Sequence, residues 1–234
     1  MTPGEPLAFT WVVEGSPTGP LLRAELAAEA RCLSSAVFGG GLGPVRTWVN
    51  LQVPPDYRRT DPESHLAAAT AAFPKPVVGM LTAAAVEQVQ DVTSGSARVL
   101  ATVGLGHPTG AATLGPPTGA ATLGPPAGAA GARVGTINIF ATIGVPLTGA
   151  GLAGAVITAV EAKAQALAAA GVRAANAPGP ATGTASDALA IACPAPGGRG
   201  DPSPFCGPAT PQGAQLAVAV FEAVLRGCRG WRER

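Results

Sequence analysis

Histidine is nearly absent. His65 and His107 are the two in 234 residues, which argues against a Ser-His-Asp triad. Neither Gly-x-Ser-x-Gly nor His-Glu-x-x-His occurs, so the nucleophile elbow and the helix-borne zinc motif are both missing. Charge is scarce too: 12% of residues are Asp, Glu, Lys or Arg, and the formal net charge is +1. Such a chain has no electrostatic footprint for nucleic acid or an anionic membrane. The four cysteines, Cys32, Cys193, Cys206 and Cys228, match no zinc spacing and no Cys-x-x-Cys. They read as reduced thiols in a cytoplasmic protein, with a Cys193–Cys206 bridge as the pairing left open. Met1 to Phe9 has neither a basic region nor a long apolar one, so no secretory signal is expected. No metal or cofactor is expected.

What the chain does have is one long uncharged run. Between Arg133 and Glu161 there is no charged side chain. Thr136 to Ile143 alternates and is rich in β-branched residues, which predicts a strand. Thr148 is a plausible N-cap for a long helix from about Gly149 to Ala170. A bilayer span is the competing reading, because about 20 apolar residues suffice for one. Pro146, Asn138 and several glycines interrupt the run, which favours a buried strand followed by a core helix. Glu161 is the first acid after the run and falls inside that helix, with Thr158 and Gln165 one turn to either side.

The rest of the chain reads as short strands and helices. Leu7 to Val13, Leu21 to Leu26 and Arg31 to Val37 are strand candidates. Phe38 to Gly43 is a glycine-rich turn, without the Gly-Lys-Ser/Thr that a phosphate loop needs. Val45 to Val53 alternates, putting Arg46, Trp48, Asn50 and Gln52 on one face, either exposed or lining a pocket. Asp61 caps a helix with Pro62 at its first position, running to about Ala72 and carrying His65, which is expected at the surface. Val77 to Leu81 is a strand, Thr82 caps a helix over Ala83 to Val89, and Ala97 to Gly104 is a strand. Pro108 to Pro116 recurs as Pro117 to Pro125 and decays through Gly131. A Pro- and Gly-rich repeat of this kind buries no core, so 108–131 is expected to be a surface insert. Ala188 to Ala192 is a strand and Pro211 to about Arg226 a helix, with a frayed tail beyond. The order predicts an α/β fold: a single domain with a mixed sheet flanked by helices.

Several separated pieces, in order, resemble the adenosylcobinamide amidohydrolases of corrinoid salvage. They are Leu33-Ser34-Ser35-Ala36 with Gly39 to Leu42, Trp48 to Val53, Val78 to Ala84, Gly135 to Ile139, Ile157 to Lys163, Ala181 to Thr184 with Asp187, and Phe205 to Thr210. The resemblance implies hydrolysis of the amide joining a corrin propionate to aminopropanol, giving cobyric acid. It implies a corrinoid as substrate and no nucleic-acid or membrane partner, and it leaves a homo-oligomer open. Relatives often read Thr-Gly-Thr-Gly-Thr-Asp where this chain has Thr182 to Asp187, and many carry histidine where Ala209 stands.

Amide hydrolysis needs an activated nucleophile, a stabilised oxyanion and a protonated leaving amine. With histidine scarce, carboxylates are the candidates. Glu161, in the most apolar helix, and Asp187, ending a hydroxyl-rich loop, are expected to do the acid–base work. Asn50, Thr82, Asn138, Thr182 and Thr184 are expected to bind substrate. Thr184 is the rival as a nucleophile, with no base evident for it. A non-catalytic corrinoid-binding protein and an amidohydrolase acting on another amide are the alternative functions.

Overall fold

In chain order the elements are β1 Phe9–Ser16, β2 Gly19–Ser34, β3 Gly41–Gln52, α1 Pro62–Ala69, β4 Val77–Thr82, β5 Gln90–Ser94, β6 Ala97–Val103, β7 Pro108–Thr109, β8 Ile137–Ile143, α2 Gly149–Ala169, β9 Gly183–Thr184, β10 Ala188–Pro194 and α3 Pro211–Arg232. The computed structural model describes residues 4–112, 135–195, 197 and 200–232. One mixed sheet of eight strands runs β4-β3-β2-β10-β8-β6-β5, with β1 also paired to β2. The β3/β4 and β8/β10 pairs are parallel and the others antiparallel. Helices bridge the two parallel pairs, α1 between β3 and β4 and α2 between β8 and β10. The fold is therefore α/β with a mixed sheet flanked by helices, as expected.

The sheet folds over on itself. Register slips between Glu25 and Ala30 of β2. Before that bulge β2 pairs with β1, and after it with β10. An extra stretch of this kind bends a strand and sharpens its twist. The bend carries β3 and β4 across to face β8 and β6. Trp48 of β3 stacks on Phe140 of β8, with centroids 5.2 Å apart and planes 10° from parallel. Even-numbered residues of β3, β4, β8 and β10 point into this inner core, among them Trp48, Met80, Phe140 and Ala190. On the face of β3 that carries them, Trp48 and Asn50 are fully buried and line neither solvent nor a cavity, while Arg46 and Gln52 at its two ends are half-buried.

Odd-numbered residues of β6, β8 and β10 face α2 and α3 instead. Buried on both sides, β8 needs a run of apolar residues rather than alternation. Helix α2 lays a stripe of small residues, Ala155, Ala159, Ala162 and Ala166, against the core. Thr148 caps it, accepting from the Gly151 amide at 3.1 Å. It is long and apolar enough to cross a membrane, but here that face packs on the sheet and on α3. Helix α1 covers the far side of β3 and β4 through Leu66.

Four local expectations change. Thr82 ends β4 and is followed by a single 3-10 turn at Val86–Gln88, because its hydroxyl accepts from the Ala84 amide only two residues on. Polar Gln90–Ser94 pairs as an edge strand with β6, where apolar periodicity gave no signal. Asp61 makes no cap bond and pairs with Arg59 instead. Helix α3 continues through Arg232. Of the expected insert, Pro108–Thr109 forms β7 against β9, and residues 113–134 lie outside the described residues.

Side chains tie β1 to the strands across the fold. Trp11 donates to Asp91 Oδ2 at 2.7 Å, and Arg98 donates to both Asp91 oxygens and to the Phe9 carbonyl. Burial alone would raise the Asp91 pKa, but the hydrogen bonds from Arg98 and Trp11 and the Arg98 charge hold it below the ordinary carboxylate value. Its stabilising contribution is present above the unfolded value, about 3.9, and is lost as pH falls through the lower folded value. Asp91→Asn is expected to be less stable than the parent by a constant margin at neutral pH, with the gap shrinking below about pH 4. Urea melts across pH 3 to 7 check this, and a gap that widens with acid contradicts it.

Candidate functional site

Asp187 stands immediately before β10 and accepts four hydrogen bonds. Oδ1 takes the Ile137 amide at 3.0 Å and the Thr184 hydroxyl. Oδ2 takes the Thr184 amide at 3.1 Å and Lys163 Nζ at 2.5 Å. A carboxylate offers about four lone-pair positions, so this one is filled. The local cause is a turn in which Asp187 reaches back three residues to both polar groups of Thr184. Lys163 arrives from α2, and both members of the ion pair are nearly enclosed, with side chains 11% and 13% exposed.

Gly183 makes room for the pair. A Cβ at that position would lie 2.4 Å from Asp187 Oδ2 and 2.8 Å from Lys163 Nζ. The glycine turn at Phe38 to Gly43 packs on the start of β4. Gly39 has φ +65° and passes so close to the Val77 carbonyl that a Cβ would sit 2.1 Å from it, and Phe38 pairs with Gly79 of β4.

Two cavities meet at Asp187, and Lys163 lines the smaller of them. The larger, about 390 Å³, is an open trough whose walls include Tyr57, Thr82, Thr136 and Ser186. It forms where the ends of β3 and β4 meet the starts of β8 and β10. The smaller, about 210 Å³, lies under α2 and is walled by Ile137, Ile139, Val156, Val160 and Lys163 among others. The residues common to both are Ser35, Asp187 and Ala188. Ser35 is exposed, and its hydroxyl oxygen is held by the Leu189 amide at 3.1 Å, leaving its proton free to donate. Thr136 and Ser186 join their hydroxyls at 2.9 Å.

One layer beneath the trough is a buried amide network. Asn138 Nδ2 donates to Asn50 Oδ1 and to the Leu81 carbonyl, each at 2.8 Å. Asn138 Oδ1 accepts from the Ala188 amide at 3.1 Å, and Asn50 donates to Thr102 at 2.8 Å. Leu81 and Ala188 both line the trough, so the network fixes the backbone from which the site is built.

The expected site residues therefore fall in different places. Asp187 and Thr82 line the trough, and Thr184 is bonded to Asp187. Asn50 and Asn138 lie below the floor and reach neither cavity. Thr182 is exposed and accepts from the Ala111 amide at 2.9 Å. Glu161 was expected to be buried by its apolar helix. The structure corrects this: Glu161 is exposed and lines neither cavity. Ile157 and Gln165, one turn to either side, are exposed with it, while Thr158 turns inward and donates to the Cys206 carbonyl at 2.9 Å.

Lys163 and Ser35 were not singled out as candidates. The alanine stripe of α2 was the available signal for Lys163, since position 163 adjoins that stripe and position 161 does not. His65 is buried rather than on the surface, with its Nδ1 2.9 Å from the Tyr57 hydroxyl on the trough wall. Burial and the nearby Arg59 charge lower its pKa.

Ala209 is exposed and away from both cavities. The four thiols are free and buried. Burial pushes Cys32 and Cys206 up to about 12 and Cys228 to about 11, and raises Cys193 as well. A thiol so far from ionisation is a poor nucleophile. Among the described residues, no three of His, Cys, Asp and Glu converge as a metal-binding group.

Gly183→Ala is expected to displace the Lys163–Asp187 pair while leaving the cores intact. Turnover should fall on the order of 10²-fold with the melting temperature little changed. Paired activity and melting measurements check this, and an active variant contradicts it.

The sequence profile of the adenosylcobinamide amidohydrolase family matches residues 13–234. A protein of Halobacterium salinarum named adenosylcobinamide amidohydrolase is 37% identical over 205 residues, covering 86% of this chain and 81% of its own. The profile match spans every element from β2 to α3, including each residue of the Asp187–Lys163 centre, and the chain belongs to the adenosylcobinamide amidohydrolase family.

Proposed function

We propose that this protein hydrolyses the amide between a corrin propionate and aminopropanol in adenosylcobinamide, giving adenosylcobyric acid for cobalamin salvage. The family membership and the name of the Halobacterium relative support the substrate. The observation that carries the chemistry is the Lys163–Asp187 ion pair, whose carboxylate lines both cavities and whose ammonium lines the smaller. A planar corrin is far larger than the 390 Å³ trough, so only its amide-bearing arm enters. The ring lies over the mouth.

Asp187 spends its lone pairs on four donors, so in this reading it anchors Lys163 rather than removing a proton itself. The Lys163 ammonium has three donors, of which one is used by Asp187. The other two are available at the amide. Water adds to the carbonyl carbon, and negative charge collects on the carbonyl oxygen. The Lys163 cation and the Ser35 hydroxyl stabilise that charge in a site partly shielded from water. The C–N bond then breaks with its electron pair on nitrogen. Nitrogen takes a proton from Lys163 Nζ, and the proton shed by the added water restores Nζ. Atoms and charge balance to one acid and one amine. Thr184 is assigned a holding role, because its hydroxyl is committed to Asp187 and it lines neither cavity. The buried free thiols support a reducing compartment, and the cytoplasm is the compartment proposed for the reaction.

Incubation with adenosylcobinamide is expected to release aminopropanol and adenosylcobyric acid together, followed by chromatography. Corrinoid binding without release overturns the proposal in favour of a carrier. Lys163→Ala is expected to lose on the order of 10²-fold or more in kcat and to recover activity with added ethylamine. Glu161→Gln is expected to keep parental turnover. If instead Glu161→Gln is inactive and Lys163→Ala active, the assignment of proton transfer is wrong.

A further inference from the structure

The two cavities are unequal, and the scissile amide has to lie at the residues they share. Each side of the bond then points into one of them. The smaller space, about 210 Å³, is below the roughly 300–1,000 Å³ that drug-sized ligands occupy. A corrin-bearing acyl group does not fit it. A short aliphatic amine does.

We infer that the small cavity beneath α2 is the pocket for the leaving amine, taking the carbons next to the scissile nitrogen, while the acyl arm lies in the trough. The inference rests on the amide-hydrolase reading above and adds which half of the substrate goes where. Its walls suit an alkyl stem. Ile137 and Ile139 form the floor and Val156 and Val160 the α2 side. Ile137 and Ile139 are buried within the helix-facing core, so the floor is rigid. Val160 is 45% exposed, so the cavity opens outward beside it and whatever follows the alkyl stem leaves by that side. Lys163 sits one turn along α2 from Ala159 and Val160 and lines this cavity but not the trough. That places the ammonium on the nitrogen side of the bond, where a proton is needed. Once the freed amine has gained its own charge, two cations share a small, partly enclosed space. Their repulsion favours release.

The pocket also predicts selection by size. A methylene gained or lost in such a pocket changes rates about 10- to 200-fold. Val160→Phe fills the cavity from its exposed side and Val156→Phe from its half-buried side, so neither requires the core to move. Both variants are expected to lower kcat/KM for aminopropanol release by about tenfold or more. Inhibition by the acid product, adenosylcobyric acid, should be unchanged, because that product leaves the small cavity empty. Far-ultraviolet circular dichroism controls for folding. Variants that weaken product inhibition as much as they slow turnover put the acyl arm in this cavity and overturn the inference. Unchanged turnover in both overturns it as well. Failure of the unmodified protein to release any amine is a separate result, and it overturns the hydrolase reading together with this one.

Discussion

A carboxylate with no lone pair to spare is the fixed point of this molecule. Asp187 gathers the first amide of β8, both polar groups of Thr184 and the ammonium of α2. Two segments distant in sequence, the start of β8 and the middle of α2, are thereby pinned to the turn that holds Thr184 and Asp187. Burying an ion pair costs several kcal/mol per charge unless further hydrogen bonds satisfy it. Here the backbone amides and a hydroxyl supply those bonds on the anionic side. The cationic side keeps unused donors, and they face a cavity. That asymmetry is what turns a structural ion pair into a candidate for chemistry.

The pair is held within the β8-α2-β10 stretch, but the trough beside it could not be assembled without the fold-over of the sheet. The bulge in β2 brings β3 and β4 against β8 and β6, and Trp48 stacked on Phe140 fills the space between them. Asn50, Asn138 and Thr102 then bridge the two halves where the inner core gives way to the trough. An apolar side chain in place of Asn138 would leave the Leu81 carbonyl and the Ala188 amide without a partner, and a buried orphan costs about 1–3 kcal/mol. The amides are thus tied to function through position. They hold β4 and β10 at the separation that leaves a trough between them.

Much of the fold was readable from the sequence, because β-branched alternation and proline breaks marked β3, β4, β6 and β8, and Thr148 marked the start of α2. Edge strand β5 was not, since a polar five-residue strand has no apolar pattern to detect. The site was readable only in part. Asp187 could be picked from its hydroxyl-rich loop. Glu161 was drawn in by a helix apolar on nearly every side, where hydrophobicity cannot say which face is inward. In such a helix side-chain size is the better guide, because the smallest residues face the closest neighbour. The stripe Ala155-Ala159-Ala162-Ala166 turns Lys163 toward β10 and Glu161 toward solvent. Trp48, Asn50 and Asn138 sat on faces whose environment depended on the sheet curling over, a long-range event with no local signature beyond the Glu25–Ala30 irregularity.

The central claim is that Lys163 and Asp187 work as one unit, with the carboxylate acting through the ammonium. A double-mutant cycle on amine release, comparing Lys163→Met, Asp187→Asn and the two combined, tests it most directly. If the claim holds, the double variant is no slower than the slower single variant, because removing either partner already disables the other. If the two losses multiply, the residues act independently and the account of the site is contradicted.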